Sequence, residues 1–335
     1  MSVCLALDIG SHYIKVVEGY SKKDRLVVRK AGITRNPFPN AHISLNENLQ
    51  KQFATFLKDF LKKLGVKRSE TVCGISGEGL IIHYFDIPDV PENEIKNIVE
   101  MELLQVIPGG AEKIEFDYAI LPAQNSGKKT VMVAGIPRSK SSFFVNTLIM
   151  AGLKPIIMDI SGVSLANCFM TFKKNNQKSA AVINVGARYT NIAIIEKKGF
   201  VFVREIEFGG NLINREITRL KNISNLEAEN FKKNPQFSDE IEKILKEISA
   251  EFIQEISVSL KYFETRTSEK AEKFFLTGGS SLLPGFLGII EKTLEIPGEI
   301  WTPMSGLYES CKTDESECVE PCFSQVLGLA LRKIV

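Results

Sequence analysis

The apolar and polar positions of the chain follow two rhythms, one of period two and one of period three to four. Period two comes first. Apolar or β-branched residues recur through Val3–Asp8, Tyr13–Tyr20 and Arg25–Ile33, with turn residues between, and each stretch reads as a strand. Helical spacing follows from Asn46 to Leu64, where Leu49, Phe53, Phe56, Leu57, Phe60 and Leu64 share a face and Gly65 supplies the stop. Strands are predicted at Thr71–Ile75 and Leu80–Ile87. The segment "IPDVPENEIKNIVEMELLQVIPGG" then opens on two prolines and runs as a helix with Ile95, Val99, Leu103 and Val106 on one face. Strands Phe116–Leu121 and Thr130–Ile136 and a helix from Arg138 to Ala151 follow, so that 88–151 reads as a compact inserted block.

Beyond Lys154 the alternation resumes with a short strand, a helix over Ser161–Phe172, a strand at Ala180–Val185 and two more strands up to Phe208. Helices near Asn211–Arg219 and Leu226–Lys232 precede one long helix from Ser238 to Thr267. A strand (Lys273–Thr277), a glycine-rich turn, a helix (Pro284–Leu294) and a last helix (Phe323–Val335) end the pattern. Alternating strands and helices indicate the α/β class. The expected division is a first domain made of 1–87 and 152–178 with helix 323–335 packed back on it, the insertion 88–151, and a second domain over 179–322.

A repeat sharpens this picture. "DIGSHYIKVVEGY" at 8–20 has an echo in "NVGARYTNIAIIE" at 184–196, which pairs Gly10 with Gly186, Ser11 with Ala187 and Tyr13 with Tyr189. One strand–glycine turn–strand unit means little; two at the head of two halves mean a duplicated architecture with a cleft between. The length of 335 residues fits two domains and an insertion. The net charge of +2, from 42 basic and 40 acidic residues mixed along the chain, argues against a nucleic-acid face. No run reaches the ~20 apolar residues of a membrane span, and the opening "MSVCLALDIG" breaks at Asp8, unlike a signal peptide. The cytosol is therefore the expected compartment, where the six cysteines stay reduced. Cys311, Cys318 and Cys322 lie close together, but their spacing fits no common zinc pattern.

The chemistry expected of such a cleft is phosphate binding. Gly10 and Gly186 let backbone amides approach an anion with no Cβ in the way. Ser11 offers a hydroxyl, Lys15 a charge, and Asp8 a carboxylate for Mg²⁺ held through water. "TGGSSLLPGF" at 277–286 carries Gly278, Gly279 and Ser280 before a proline-started helix, a setting suited to a polar ligand edge. Other chemistries fail on spacing. "NSGKKT" at 125–130 lacks the first glycine of a Walker A loop, "GISGE" at 74–78 lacks the last glycine of a nucleophile elbow, and the three histidines are scattered.

These pieces together resemble the actin-like ATPase superfamily, whose fold is a pair of duplicated ribonuclease H-like halves. The resemblance implies a first phosphate loop at 8–15, a second at 184–191 that includes Gly186, Ala187 and Thr190, and an adenosine loop at 277–285. "AENFK" at 228–232 resembles the segment that approaches ribose and adenine, which implies those roles for Glu229 and Lys232. Asp159, taken as standing on the connecting helix, is similar in place to the acidic residue near the attacking water, and so is the implied catalytic group. The finer resemblance is to the type IV pilus assembly family PilM, carried by "LDIGSHYIKVVE", "VPENEIKNIVEMELLQVIPGG", "FVREIEFGGNLINREI" and "VLGLALRKI". It implies an FtsA/PilM-type 1C subdomain at the insertion and binding of ATP and Mg²⁺ between the domains. It also implies a cytoplasmic adaptor at the inner membrane, binding the N-terminal cytoplasmic segment of PilN between the first domain and the insertion. The alternatives are a working ATPase and a filament-forming actin-like protein. Asn184 stands where the family has Asp and would meet Mg²⁺ with a neutral carbonyl; His12, Tyr13, Cys168 and Asn214 also depart from the pattern.

Overall fold

Two five-stranded sheets of the same order and the same strand senses account for the repeat. The computed structural model describes residues 3–22, 25–39, 46–67, 69–107, 111–122, 128–173, 178–303 and 320–332. In the first sheet β1 (Val3–Ile9) lies between antiparallel β2 (Tyr13–Lys22) and parallel β4 (Glu70–Ile75), with β3 (Arg25–Arg35) and β8 (Lys154–Ile160) outside them. In the second, β9 (Ser179–Val185) lies between antiparallel β10 (Thr190–Glu196) and parallel β12 (Lys273–Thr277), flanked by β11 (Val201–Ile206) and β13 (Gly298–Ile300). The registers also repeat: Asp8 sits opposite Lys15, and Asn184 sits opposite Asn191. Every residue of β9 and β10 is buried, the mark of strands covered on both faces.

Helices α1 (Glu47–Lys63), α3 (Arg138–Met150) and α10 (Ser324–Leu331) belong with the first sheet, while α4 (Ser161–Phe172) packs chiefly against the second. Asn46 caps α1 by accepting from the backbone N–H groups of Asn48 and Leu49. Phe53 and Leu57 of α1 pack with Phe143 and Leu148 of α3 against Leu5 and Leu7. Helices α4 and α10 lie in the core between the two sheets, with Leu165, Phe169, Val326 and Leu329 joining Ala6 of the first sheet to Val182 and Ala193 of the second. Helix α10 is buried at every residue, as a helix apolar on all sides must be. Its Gly328 crosses α4 so closely that a Cβ there would overlap the Ser164 carbonyl. Helices α5 (Gly210–Lys221), α6 (Asn225–Lys233), α7 (Ser238–Ile248), α8 (Ala250–Thr267) and α9 (Phe286–Leu294) cover the second sheet, over a core with Phe208, Phe252 and Phe286.

The inserted elements form a third sheet, ordered β5 (Ile81–Pro88), β7 (Lys128–Pro137), β6 (Ile114–Leu121), under helix α2 (Glu92–Val106). Ile95, Val99, Leu103, Val131 and Val133 form its core. Strand β5, assigned above to the first domain, pairs with β7, and α3, assigned to the insertion, packs in the first half. Periodicity identifies an element's type but not the sheet it joins, so the 88–151 boundaries shift at both ends. Val106 also turns outward, and Ile107 takes the buried place expected for it. Three further expectations are corrected. The helix 238–267 is two helices that bend at Ser249, an unbroken apolar pattern concealing the break. Strand β13 was not anticipated, because three half-buried residues carry no period. Asp159 lies in β8 rather than on the connecting helix. The expected cysteine cluster falls largely outside the described residues, which include Cys322 but neither Cys311 nor Cys318.

Replacing Gly328 by Ala is expected to force α10 away from α4 and to destabilise the protein by about 1–3 kcal/mol or more, the cost of an overpacked core. A lowered urea midpoint would register it; an unchanged midpoint would show that the crossing has room to spare.

Candidate functional site

Both glycine turns close in the same way. Gly10 N–H donates to the Tyr13 carbonyl at 3.0 Å, and Gly186 N–H donates to the Tyr189 carbonyl at 3.1 Å. A Cβ would stand 2.9 Å from the Tyr13 oxygen at Gly10 and 2.7 Å from the Tyr189 oxygen at Gly186, too close for either to be another residue. The two turns line one cavity of about 670 Å³ between the halves. Gly278, at φ +90°, brings in the third loop, and a Cβ on it would run into Asn184 Oδ1 and the Val185 carbonyl. Asp8, Ser11, Lys15, Asn184, Ala187, Glu229, Lys232, Gly279 and Ser280 line the same cavity, so residues from four separated stretches of sequence meet there.

Two sequence-predicted residues do not line it. Thr190 is wholly buried and donates its hydroxyl proton to the Phe208 carbonyl at 2.8 Å, which makes it a strut beneath the second turn. Asp159 is paired with Arg332 at 2.9 Å, while its Oδ1 accepts from the Ile160 N–H. Burial pushes its carboxyl upward, and the Arg332 charge opposes that.

Charge within the cavity is arranged in pairs. Lys15 lies 2.7 Å from Asp8 across the β1–β2 ladder. At the equivalent place in the second half Asn184 faces Asn191, so the first turn carries the ion pair and the second a pair of amides. On α6, Lys232 lies 2.7 Å from Glu229, which also accepts from Asn214 Nδ2 at 2.7 Å. Burial raises the Glu229 carboxyl, but the Lys232 charge and the hydrogen bonds from Lys232 and Asn214 outweigh it and hold the group at about 2. Gly210 fits beneath this pair: its N–H donates to the Gly186 carbonyl at 3.0 Å, and a Cβ there would crowd Ser280 Oγ and Lys232 Nζ. Among the described residues no group of three or more His, Cys, Asp or Glu side chains able to hold a metal ion occurs.

A polar contact between the halves was not foreseen. Glu205 of β11 reaches across and accepts from Ser76 Oγ and from the Gly77 N–H, both at 2.6 Å. Tyr189 of the second turn accepts at its hydroxyl from the Glu78 N–H at 3.1 Å, and its ring rests against Gly77. Lys140 closes the far side by donating to the Ser76 and Glu78 carbonyls; burial depresses its ammonium to about 8. Loop 76–80 leads directly into β5 of the third sheet. Tyr84 on that strand accepts from the Val203 N–H at 2.7 Å, and Asp86 pairs with Arg266. In sequence the signal was faint, a lone Glu in an apolar strand and a tyrosine repeated in both turns.

A sequence model of the family described as "Type IV pilus assembly protein PilM" matches residues 6–334. The chain belongs to the PilM family. Among solved structures it is similar to one described as "PilM-PilN type IV pilus biogenesis complex", at 24% identity and TM-score 0.83, over 99% of this chain and 98% of that one. It is also similar to the ethanolamine utilization protein EutJ from Carboxydothermus hydrogenoformans, at 15% identity and TM-score 0.58, over 99% and 90%. A third is MreB 5 of Spiroplasma citri bound to AMPPNP, at 12% identity and TM-score 0.52, over 98% and 95%. With these neighbours the fold of the chain is the actin-like one.

Glu229→Gln would leave Lys232 buried beside a neutral amide, at an expected cost of about 3 kcal/mol. Because the folded carboxyl stands at about 2, below its ordinary 4.5, its contribution is complete above pH 4.5 and is lost as the pH falls towards 2. Urea midpoints measured from pH 7 to pH 3 should therefore converge for wild type and variant as acid is added; parallel curves would show that the pair is not the source.

Proposed function

We propose that this protein is a pilus-assembly adaptor that holds ATP and Mg²⁺ in the cavity between its halves and binds the N-terminal cytoplasmic segment of a PilN partner. The observation carrying the nucleotide reading is the pair of matched glycine turns facing one cavity, each shaped so that a Cβ has no room. Gly10, Ser11, Gly186 and Ala187 would receive the phosphates, with Lys15 supplying charge. Glu229 and Lys232 would meet the ribose and adenine, and Gly278, Gly279 and Ser280 would close over the nucleoside. Asp8 and Asn184 would hold Mg²⁺ through water. The metal, when bound, supplies positive charge against the phosphates. Asn184 contributes only an amide dipole where a carboxylate would bind the metal harder, so the site suits retention of nucleotide more than rapid turnover.

The peptide reading rests on the family and on the solved PilM–PilN complex among its structural neighbours. Support on the surface comes from α2 of the third sheet, where Met101 and Leu104 are 65% and 62% exposed, and from Ile149 and Met150 at the end of α3. Among the described residues no helix is long and apolar enough to cross a membrane, so attachment to an inner membrane would come through the partner. The contact network through Glu205, Tyr189 and loop 76–80 supplies a physical route by which a ligand gripped by both halves would bias the third sheet.

Fluorescence anisotropy of a labelled PilN N-terminal peptide, titrated with and without Mg-ATP, tests both parts. Saturable binding that tightens or weakens with nucleotide is expected; no binding in either condition would sink the adaptor reading and favour a free-standing ATPase. Gly186→Val should abolish the nucleotide effect and leave peptide binding in place. An unchanged nucleotide effect in that variant would place the nucleotide elsewhere.

A further inference from the structure

The end of the first sheet furthest from the cavity takes no part in the nucleotide reading. The first glycine turn lies beyond the Ile9–Ile14 pairing, whereas the opposite end of the sheet is marked by Val3 facing Tyr20, Lys22 facing Arg25 and Glu70 facing Lys154. At ~3.3 Å per residue, the seven residues of β1 set the two ends roughly 20 Å apart. Helices α1 and α3 both stop at this far end, and in the same way. Gly65, at φ +65°, donates to the Lys62 carbonyl while Val66 N–H donates to that of Leu61. Gly152, at φ +88°, donates to the Ile149 carbonyl while Leu153 N–H donates to that of Leu148. Each glycine turns the chain back towards a strand, β4 or β8, and leaves the last helical turn facing outward. Lys154 N–H donates to the Ser69 carbonyl at 3.1 Å, which ties the two exits together.

What the two turns display differs. Helix α1 presents Lys62 and Lys63, with Lys67 just beyond, all exposed. Helix α3 presents Ile149 and Met150, 55% and 44% exposed. On the edge strand β8 that follows, Ile156 has no residue opposite, because the register passes from Pro155 to Ile157 across Thr71 and Val72. Such a bulge re-aims a side chain at a sheet edge, and Ile156 is exposed. Among the described residues, exposed Lys22, Arg25, Lys62, Lys63, Lys67 and Lys154 stand at this end against two surface carboxylates, Asp59 and Glu70. Of the six cations only Lys154, 2.9 Å from Glu70, is ion-paired among the described residues. A nucleic acid would answer the charge but leave the aliphatic tips against phosphate and water. An anionic bilayer answers both: aliphatic tips enter the boundary between headgroups and acyl chains, and lysine stems lie along it with their ammonium groups among the lipid phosphates.

We infer that this end of the first half is a docking face for the headgroup surface of an anionic membrane, with Lys62, Lys63 and Lys67 meeting lipid phosphates and Ile149, Met150 and Ile156 touching the acyl boundary. The contact is peripheral and spans nothing. It rests on the adaptor reading for what brings the chain to a bilayer, while the charge and shape of the face are independent of that reading. Ile149 and Met150 also stand among the exposed residues offered to the PilN segment, so a chain held by that segment has this end within reach of the headgroups. A weak surface contact then gains from the high local lipid concentration that the partner provides.

The test is flotation of the full chain with vesicles of phosphatidylcholine alone or with about one-third phosphatidylglycerol, at low and high salt. Wild type should float with the anionic vesicles at low salt, stay behind with the neutral ones, and be released by salt. Reversing three charges together (Lys62→Glu, Lys63→Glu and Lys67→Glu) should weaken partitioning by about tenfold or more. The matching Lys→Arg triple variant keeps the charge and should float like wild type, and equal thermal midpoints check that all three proteins are folded. No flotation of wild type with anionic vesicles, equal flotation with neutral ones, or flotation unchanged by the charge reversal would overturn the membrane face. Release of wild type from the vesicles by a short DNA duplex at equal phosphate concentration would overturn it in favour of a nucleic acid. Any of these results beside intact binding of the labelled PilN peptide would leave the adaptor reading standing; loss of peptide binding beside intact flotation would overturn the adaptor reading and support the membrane face.

Discussion

The spacing of the two sheets depends on a single close crossing, that of α10 over α4. Both helices lie between the sheets, α10 buried at every residue and α4 over most of its length, and Gly328 lets their backbones meet without a side chain between. Because interiors pack to crystal-like density, this distance cannot be adjusted without moving one sheet relative to the other. The opposing glycine turns sit at the ends of the central strands of those sheets, so the width of the cavity is set by packing remote from it. The last described helix of the chain is thereby part of the scaffold of a site formed by the first strand.

Matched geometry carries unmatched charge. The two halves agree in strand order, in register and in the hydrogen bond that closes each turn. They differ in what stands opposite across the central hairpin, an Asp8–Lys15 ion pair in one half and the Asn184–Asn191 amides in the other. An anion in this cavity would find its fixed charge in the first turn and on α6, and mainly backbone dipoles in the second. Such asymmetry is compatible with holding a ligand and bridging two bodies, which is what an adaptor requires. Glu205 and Tyr189 join the bodies at the point where the chain passes into the third sheet, so the cavity and the inserted unit share one set of contacts.

Much of this was legible from the residues. The 176-position echo announced the duplication because a glycine turn closed by a β-hairpin has a short, ordered signature that survives in both copies. Strands β1, β2, β9 and β10 were readable for the same reason, as was the meeting of Gly10, Gly186 and Gly278, whose surroundings leave no room for a Cβ. What was not legible depended on partners distant in sequence. Strand β5 looks like its neighbours in the first sheet and differs only in what it pairs with. Asp159 looked available for chemistry because its partner, Arg332, lies near the other end of the chain. Thr190 reads as a second-turn ligand until the Phe208 carbonyl is seen to take its hydroxyl proton. The bend at Ser249 leaves the apolar pattern intact, so periodicity passes over it.

The most direct measurement is a crystal structure of the protein grown with Mg²⁺ and AMPPNP. The expected result is density for the phosphates between the 10–13 and 186–189 turns, with the nucleoside against Glu229 and Lys232. An empty cavity at saturating analogue, or density for the analogue at any other place on the molecule, would contradict the assignment of a nucleotide site between the two halves.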